Sequence, residues 1–298
     1  MKNDAMQPRL LHGTVCVPNI DVALALYRDV FEQTVVHTGE IATSEAGSWQ
    51  APNLVGAKSV VLQPPSGAPV YLRLIEQPDP VGYHPGTHFG WAAIELSVKS
   101  ADDMYARLLT VGTPIIAAPK PLSFTDMLYP MQARGPGGEA IYLNEVRGNL
   151  PSSDLPMAEC WVDKLFIAVM GCRDMSASLD FYHALLGTST GGQWEMPYSV
   201  INAAFALPVT TAHKLATVAD ERTVLFEVDN YPKAATPRPV TTGYLPQGVS
   251  LIGVRVLHAP EHASWIVPPS VRAEAPYFGG TVGVVRGLDD ELTEIVWG

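Results

Sequence analysis

The sequence predicts an α+β fold assembled from repeated strand–helix units, and three observations predict it. Residues 163–187, DKLFIAVMGCRDMSASLDFYHALLG, read as strand, turn and amphipathic helix without interruption. Leu165 opens a short apolar run that leans to β, and Gly171 and Asp174 punctuate it. Met175, Leu179, Tyr182 and Leu186 then recur at helical spacing until Gly187 stops the helix. Near the N-terminus, LLHGTVCVPNIDVALALYRDVF repeats the plan half a chain earlier, the mark of an internal repeat. The third observation is the run of short β-type stretches, separated by Gly, Pro and Ser, that follows the first helix.

In the first unit, residues 10–77, a strand closes at Val17 and Pro18 and Asn19 turn the chain. Asp21 caps the helix, and Ala23, Leu26, Tyr27 and Val30 form its buried stripe. Further β-type runs are expected at 34–37, 59–63 and 70–75. The segment 79–89, DPVGYHPGTHF, holds Pro80, Gly82, Pro85 and Gly86 in quick succession and reads as a connector. A second unit opens at Trp91 with a strand over 93–98, a helix capped by Asp102 and Asp103, and Gly112 at its end. Two strands there are joined by the turn Gly135-Pro136-Gly137-Gly138; no helix follows it, so it is not a phosphate cradle. Residues 148–160, GNLPSSDLPMAEC, change composition abruptly and read as an interdomain linker, dividing the chain into domains at 8–147 and 161–298. The third unit runs to Asn230. A proline-rich connector, YPKAATPRPVTTGYLPQG, leads to a fourth that opens over 249–256, has a helix start around Pro260, and closes with GVVRGLDDELTEIVWG.

A formal net charge of −11 argues against nucleic acid or an anionic membrane as partner, since both need a positive patch. The odd set Cys16, Cys160 and Cys172 lacks metal-type spacing and fits a reduced, cytoplasmic setting. No apolar run reaches spanning length. Only 16% of residues are charged, which points to apolar surface covered by a second copy in a homodimer.

The opening strand and helix, with the helix end Phe181-Tyr182-His183-Ala184-Leu185-Leu186-Gly187, resemble the vicinal oxygen chelate (VOC) superfamily, the fold of glyoxalases, bleomycin-resistance proteins and extradiol dioxygenases. The resemblance implies four βαβββ modules forming two glyoxalase-like half-barrel domains around small-molecule cavities. It further implies a divalent metal, such as Fe, Zn, Mn or Ni, held by one residue of the first strand and one of the last strand of each contributing module. Registering the opening strands on Val17, Val98, Val169 and Val256 puts His12, Ala93, Lys164 and Leu251 at the first-strand positions. The last-strand positions are then Arg73, Tyr142, Glu227 and Glu294.

Of these eight, only His12, Glu227 and Glu294 are ready metal ligands, and Lys164 sets a cation where a cation should bind. Two pairings are open: consecutive modules together, or module one with four and two with three, which brings His12 and Glu294 into one cavity as a partial metal site with Arg73 near. The expected function is a small-molecule enzyme acting on an oxygenated, largely apolar or aromatic metabolite by metal-independent lyase or isomerase chemistry, without cofactor. Lys164, Glu227, Glu294 and Tyr142 would carry the proton transfers, and Arg73, Trp194 and Tyr198 would bind substrate. The alternatives are a non-catalytic, ligand-sequestering protein and a metal-dependent glyoxalase or dioxygenase.

Overall fold

The computed structural model describes residues 8–298. Module one comprises β1 (Arg9–Val17), α1 (Ile20–Leu24, continued by a π-helical turn Ala25–Val30), β2 (Thr34–Glu40), α2 (Thr43–Ser48), β3 (Lys58–Gln63) and β4 (Tyr71–Glu76). Module two comprises β5 (Gly90–Val98), α3 (Ala101–Thr110), β6 (Ile115–Ala117), β7 (Leu128–Arg134) and β8 (Ala140–Val146). Module three comprises β9 (Val162–Cys172), α4 (Met175–Leu186), β10 (Ser189–Pro197), α5 (Ser199–Ala204), β11 (Ala212–Asp220) and β12 (Thr223–Asn230). Module four comprises β13 (Gly248–Arg255), β14 (Ser270–Val271), β15 (Thr281–Arg286) and β16 (Leu292–Trp297). It has no helix after its first strand. Residues 256–269 form turns and irregular backbone instead of the helix expected at Pro260; Pro260, Pro268 and Pro269 all lack the N–H that a helical ladder needs.

Side-chain caps start the three long crossovers. Asn19, Ser100 and Asp174 are extended and accept from the backbone N–H of Val22, Asp103 and Ala177 at 3.0, 3.2 and 3.2 Å. The caps are therefore Asn19 and Ser100, two or three residues before the aspartates expected from sequence; those aspartates lie in the first turn, where their charge favours the helix N-terminus. Gly187 ends α4 at φ 68°, a left-handed position that a glycine fills without strain.

The strands make two eight-stranded sheets, each curled into a half-barrel, ordered β14-β15-β16-β13-β1-β4-β3-β2 and β10-β11-β12-β9-β5-β8-β7-β6. Module one thus shares a sheet with module four through the antiparallel pair β1–β13, and module two with module three through β5–β9. The strands of 8–147 are divided between both sheets, as are those of 161–298. The sheet-forming units are accordingly one with four and two with three, in place of the consecutive halves drawn from the linker's composition. Within each module the first and last strands run parallel, so inward-facing residues of β1, β4, β13 and β16 converge, as do those of β5, β8, β9 and β12. A continuous core of Val15, Leu74, Trp91, Ile94, Leu165, Tyr182, Phe226 and Ile252 lies between the sheets and beneath the helices. Among the described residues no helix is long and apolar enough to cross a membrane.

Candidate functional site

The first half-barrel is filled by a hydrogen-bonded charge network. Glu294, on the otherwise apolar β16, is 0% exposed. Its Oε1 accepts from Trp49 Nε1 at 2.7 Å and Arg272 Nη1 at 2.8 Å. Its Oε2 accepts from Tyr277 OH at 2.7 Å, His12 Nε2 at 2.8 Å and Arg73 Nη2 at 3.4 Å. Helix α2 closes the mouth: Glu45 pairs with Arg73 at 3.2 Å, and Ser48 Oγ accepts from Arg272 at 2.5 Å. Burial alone would raise the Glu294 carboxyl, but the Arg272 and Arg73 guanidiniums and the His12 hydrogen bond hold it well below the usual range. Burial lowers His12, so the ring is neutral.

Thr14 fixes the His12 tautomer. Its Oγ1 accepts from Arg73 Nε at 3.0 Å, and its hydroxyl proton is left for His12 Nδ1 at 3.2 Å. Nε2 therefore carries the proton and donates to Glu294. With the histidine lone pair turned away, both carboxylate oxygens saturated, and two guanidiniums supplying positive charge, the expected His12 and Glu294 pair does not fit a divalent ion. Arg73, expected to meet substrate, is 2% exposed inside this network.

The second half-barrel holds an open pocket. Its walls are apolar, with Leu128, Ile167, Met196 and Leu215 among them, and Phe124 stacks on Trp194 at 5.5 Å between ring centres. The floor is polar. Glu95 Oε2 accepts from Asn144 Nδ2 at 2.7 Å, and Glu227 Oε1 accepts from Tyr198 OH at 2.7 Å. Tyr142 meets Tyr198 edge to face at 6.4 Å. Behind Glu227 on the same strand lies buried Asp229. Desolvation raises Glu95 well above the carboxylate range and the Glu227 charge adds to it; Glu227 is raised by burial, with the hydrogen bonds of Tyr198 and Asp229 opposing. Asp229 is raised well above its ordinary value by burial and then by Glu227. Glu95 and Asp229 are buried and Glu227 is half-buried, so ionisation of one disfavours that of the others and the cluster retains protons to higher pH than isolated carboxyls do. Asn144 Oδ1 is buried without a hydrogen-bond partner. Among the described residues, no group of three or more His, Cys, Asp or Glu is arranged to hold a metal.

Part of the roof comes from residues 148–160. Leu150, Ser153 and Leu155 line the pocket, and Arg222, at the β11–β12 turn, pins them by bonds to Asp154 Oδ1 (2.9 Å), Pro151 O (2.7 Å) and Leu150 O (3.0 Å). The pocket offers about 80 Å³ to the centre of a water-sized sphere. Since one water needs roughly 10–15 Å³ by that measure, a ligand of about single-ring size fits as the side chains stand.

The structure brings Tyr142, Glu227, Trp194 and Tyr198 together in this pocket and keeps His12, Arg73 and Glu294 in the other half-barrel. Lys164 joins neither. It is half-buried on a groove outside the pocket, with no ion pair among the described residues. The misplacement has a clear cause. β9 runs on to Cys172, so the fixed point shared by the modules is the helix cap, not the last valine. Counted back from Asn19, Ser100 and Asp174, the partners of His12 are Ala93 and Ile167, and Ile167 does line the pocket. Glu95 was not singled out from the sequence. Its signal is the one that marks Glu294, a lone carboxylate on an apolar strand, here GWAAIELSV.

No protein-family profile matches the chain, and no curated protein is significantly similar to it. Its fold does match solved structures. Glyoxalase I from Zea mays superposes with a TM-score of 0.63 at 15% identity, over 98% of this chain and 92% of that one. A protein from Bacillus subtilis named as a candidate dioxygenase superposes with a TM-score of 0.64 at 12% identity, over 98% and 86%. The chain therefore has the two-half-barrel α+β fold of these structures.

Proposed function

We propose that the pocket between modules two and three binds an oxygenated, largely apolar or aromatic small molecule and moves a proton on it by carboxyl chemistry. What carries this reading is the floor of the pocket, where Glu95 and Glu227 face one apolar cleft with protons retained on the cluster. Glu227, its charge supported by Tyr198, acts as the base. It takes the proton from a carbon next to a substrate carbonyl, and Glu95, protonated and held by Asn144, gives its proton to the carbonyl oxygen. The product is the enol. Where the deprotonated carbon bears a hydroxyl, the enol is an enediol, and return of a proton to the former carbonyl carbon with loss of the other hydroxyl's proton to a carboxylate completes an isomerisation. Where a β-substituent is present, it leaves with its bonding electron pair as the enol proton returns to Glu95, which completes an elimination. Asn144 Oδ1 accepts a ligand hydroxyl. Lys164 and Glu294 have no part in these steps, the first lying outside the pocket and the second saturated by its own partners.

The maize protein of the same fold is named for glyoxalase I activity; the donor set around Glu294 does not suit a metal, so no step here is routed through one. The competing reading is a ligand-sequestering protein without turnover, favoured by the narrowness of the pocket and its mostly apolar walls. Exchange of the α-protons of phenylacetone in D₂O, followed by NMR, separates the two. Exchange that falls at least 100-fold in Glu227→Gln while binding persists supports proton transfer. Binding with no exchange by the unaltered protein leaves the sequestering reading.

A further inference from the structure

Beyond the pocket lies a second apolar hollow whose wall the pocket shares. It is a groove of about 530 Å³, by the same measure, between the end of the first sheet and the second. Leu10, Val70, Phe166 and Leu225 line it, and Leu155 and Val224, 8% and 6% exposed, stand between groove and pocket with a face on each. Its charged groups are largely spoken for: Arg9 is paired with Asp220 at 3.3 Å and Asp154 with Arg222 at 2.9 Å. Lys164, on the groove, has no carboxylate within ion-pair distance among the described residues. An ammonium on an apolar wall without a counter-charge favours an anion that brings its own apolar body.

We infer that the ligand is an elongated amphiphile: a ring in the inner pocket, an apolar chain passing Leu155 and Val224 into the groove, and an anionic end, a carboxylate or a phosphate, at Lys164. This rests on the pocket reading above and adds the length and charge of the molecule. The inner pocket alone takes a single ring; the groove supplies the room for the rest. Leu155 lies outside every strand, its backbone N–H donating to Asn149 Oδ1 at 2.9 Å, so the passage requires only its side chain to turn.

The test is titration calorimetry of the full chain at low salt with 6-phenylhexanoate and with 6-phenylhexan-1-ol, which share ring and chain and differ in charge. The acid is expected to bind more tightly than the alcohol. Lys164→Gln should lower acid affinity about two- to fivefold, the scale of a partly exposed ion pair, leave the alcohol unchanged, and be rescued by Lys164→Arg. If the unaltered protein binds both probes and Lys164→Gln leaves the acid as it was, the inference is overturned and the pocket reading stands. If the unaltered protein binds neither probe, both fall. Because Lys164 is only half-buried and forms no ion pair among the described residues, its replacement leaves the fold intact, and an unchanged melting temperature verifies this.

Discussion

Replacing Glu294 by Gln removes the one fully buried anion that faces Arg73 and Arg272, while Trp49 and Tyr277 keep an amide as partner. Five donors now converge on the carboxylate, and two belong to guanidiniums that are 2% and 6% exposed. After the change Glu45, at 3.2 and 3.7 Å, is the one carboxylate among the described residues left to balance two arginine charges. Breaking a buried pair by removing one member costs about 3–5 kcal/mol, because the charge left behind has lost both water and counter-ion. Urea unfolding followed by circular dichroism should therefore show a midpoint lowered at unchanged slope. The carboxyl is ionised in the folded chain well below its ordinary value, so its stabilisation is full above about pH 4.5 and disappears as the pH drops through the folded value. A midpoint in Glu294→Gln within error of the unaltered protein at pH 7, or no narrowing of the gap between the two on acidification, refutes the view of this half-barrel as a closed, charge-balanced plug.

Two further expectations concern buried carboxyls. Glu139 receives the Tyr27 hydroxyl at 2.5 Å and Glu291 that of Tyr182 at 2.8 Å, tying module one to two and three to four, and burial pushes both carboxyls up from 4.5 to about 7. The folded chain thus holds protons the unfolded chain releases, so the contribution of these two groups to stability is full below about pH 4.5 and falls by on the order of 3 kcal/mol per group as the pH rises through 7; the double variant Glu139→Gln, Glu291→Gln should flatten that slope in denaturant titrations from pH 5 to 8. In the open pocket, Glu227→Gln removes the charge that helps raise Glu95, so the Glu95 carboxyl, followed by ¹³C NMR of labelled glutamate, should titrate at lower pH than in the unaltered chain. An unmoved titration would mean that the two carboxyls do not share a site.

Local order was legible from the chain alone. The repeated opening, the helix stop at Gly187 and the turn at 135–138 follow from short-range rules, because spacing along a helix and turn chemistry need no knowledge of the rest of the molecule, whereas the last-strand positions of Arg73, Tyr142, Glu227 and Glu294 came from the resemblance. Even the displacement of Lys164 was recoverable, had the modules been registered on their caps. Glu95 escaped notice because its importance depends on Glu227, 132 positions away on a strand of another module.

The sequence by itself determined the repeated strand–helix unit and the stops and turns that bound it. Which modules close on each other, and hence which charges meet, was decided only in three dimensions. Arg73 and Glu294 are 221 residues apart, and nothing in either strand says that β1 prefers β13 to β5. That choice comes from long-range packing and from the requirement that buried charges find partners, which sealed one half-barrel with guanidiniums and left the other open over its acids.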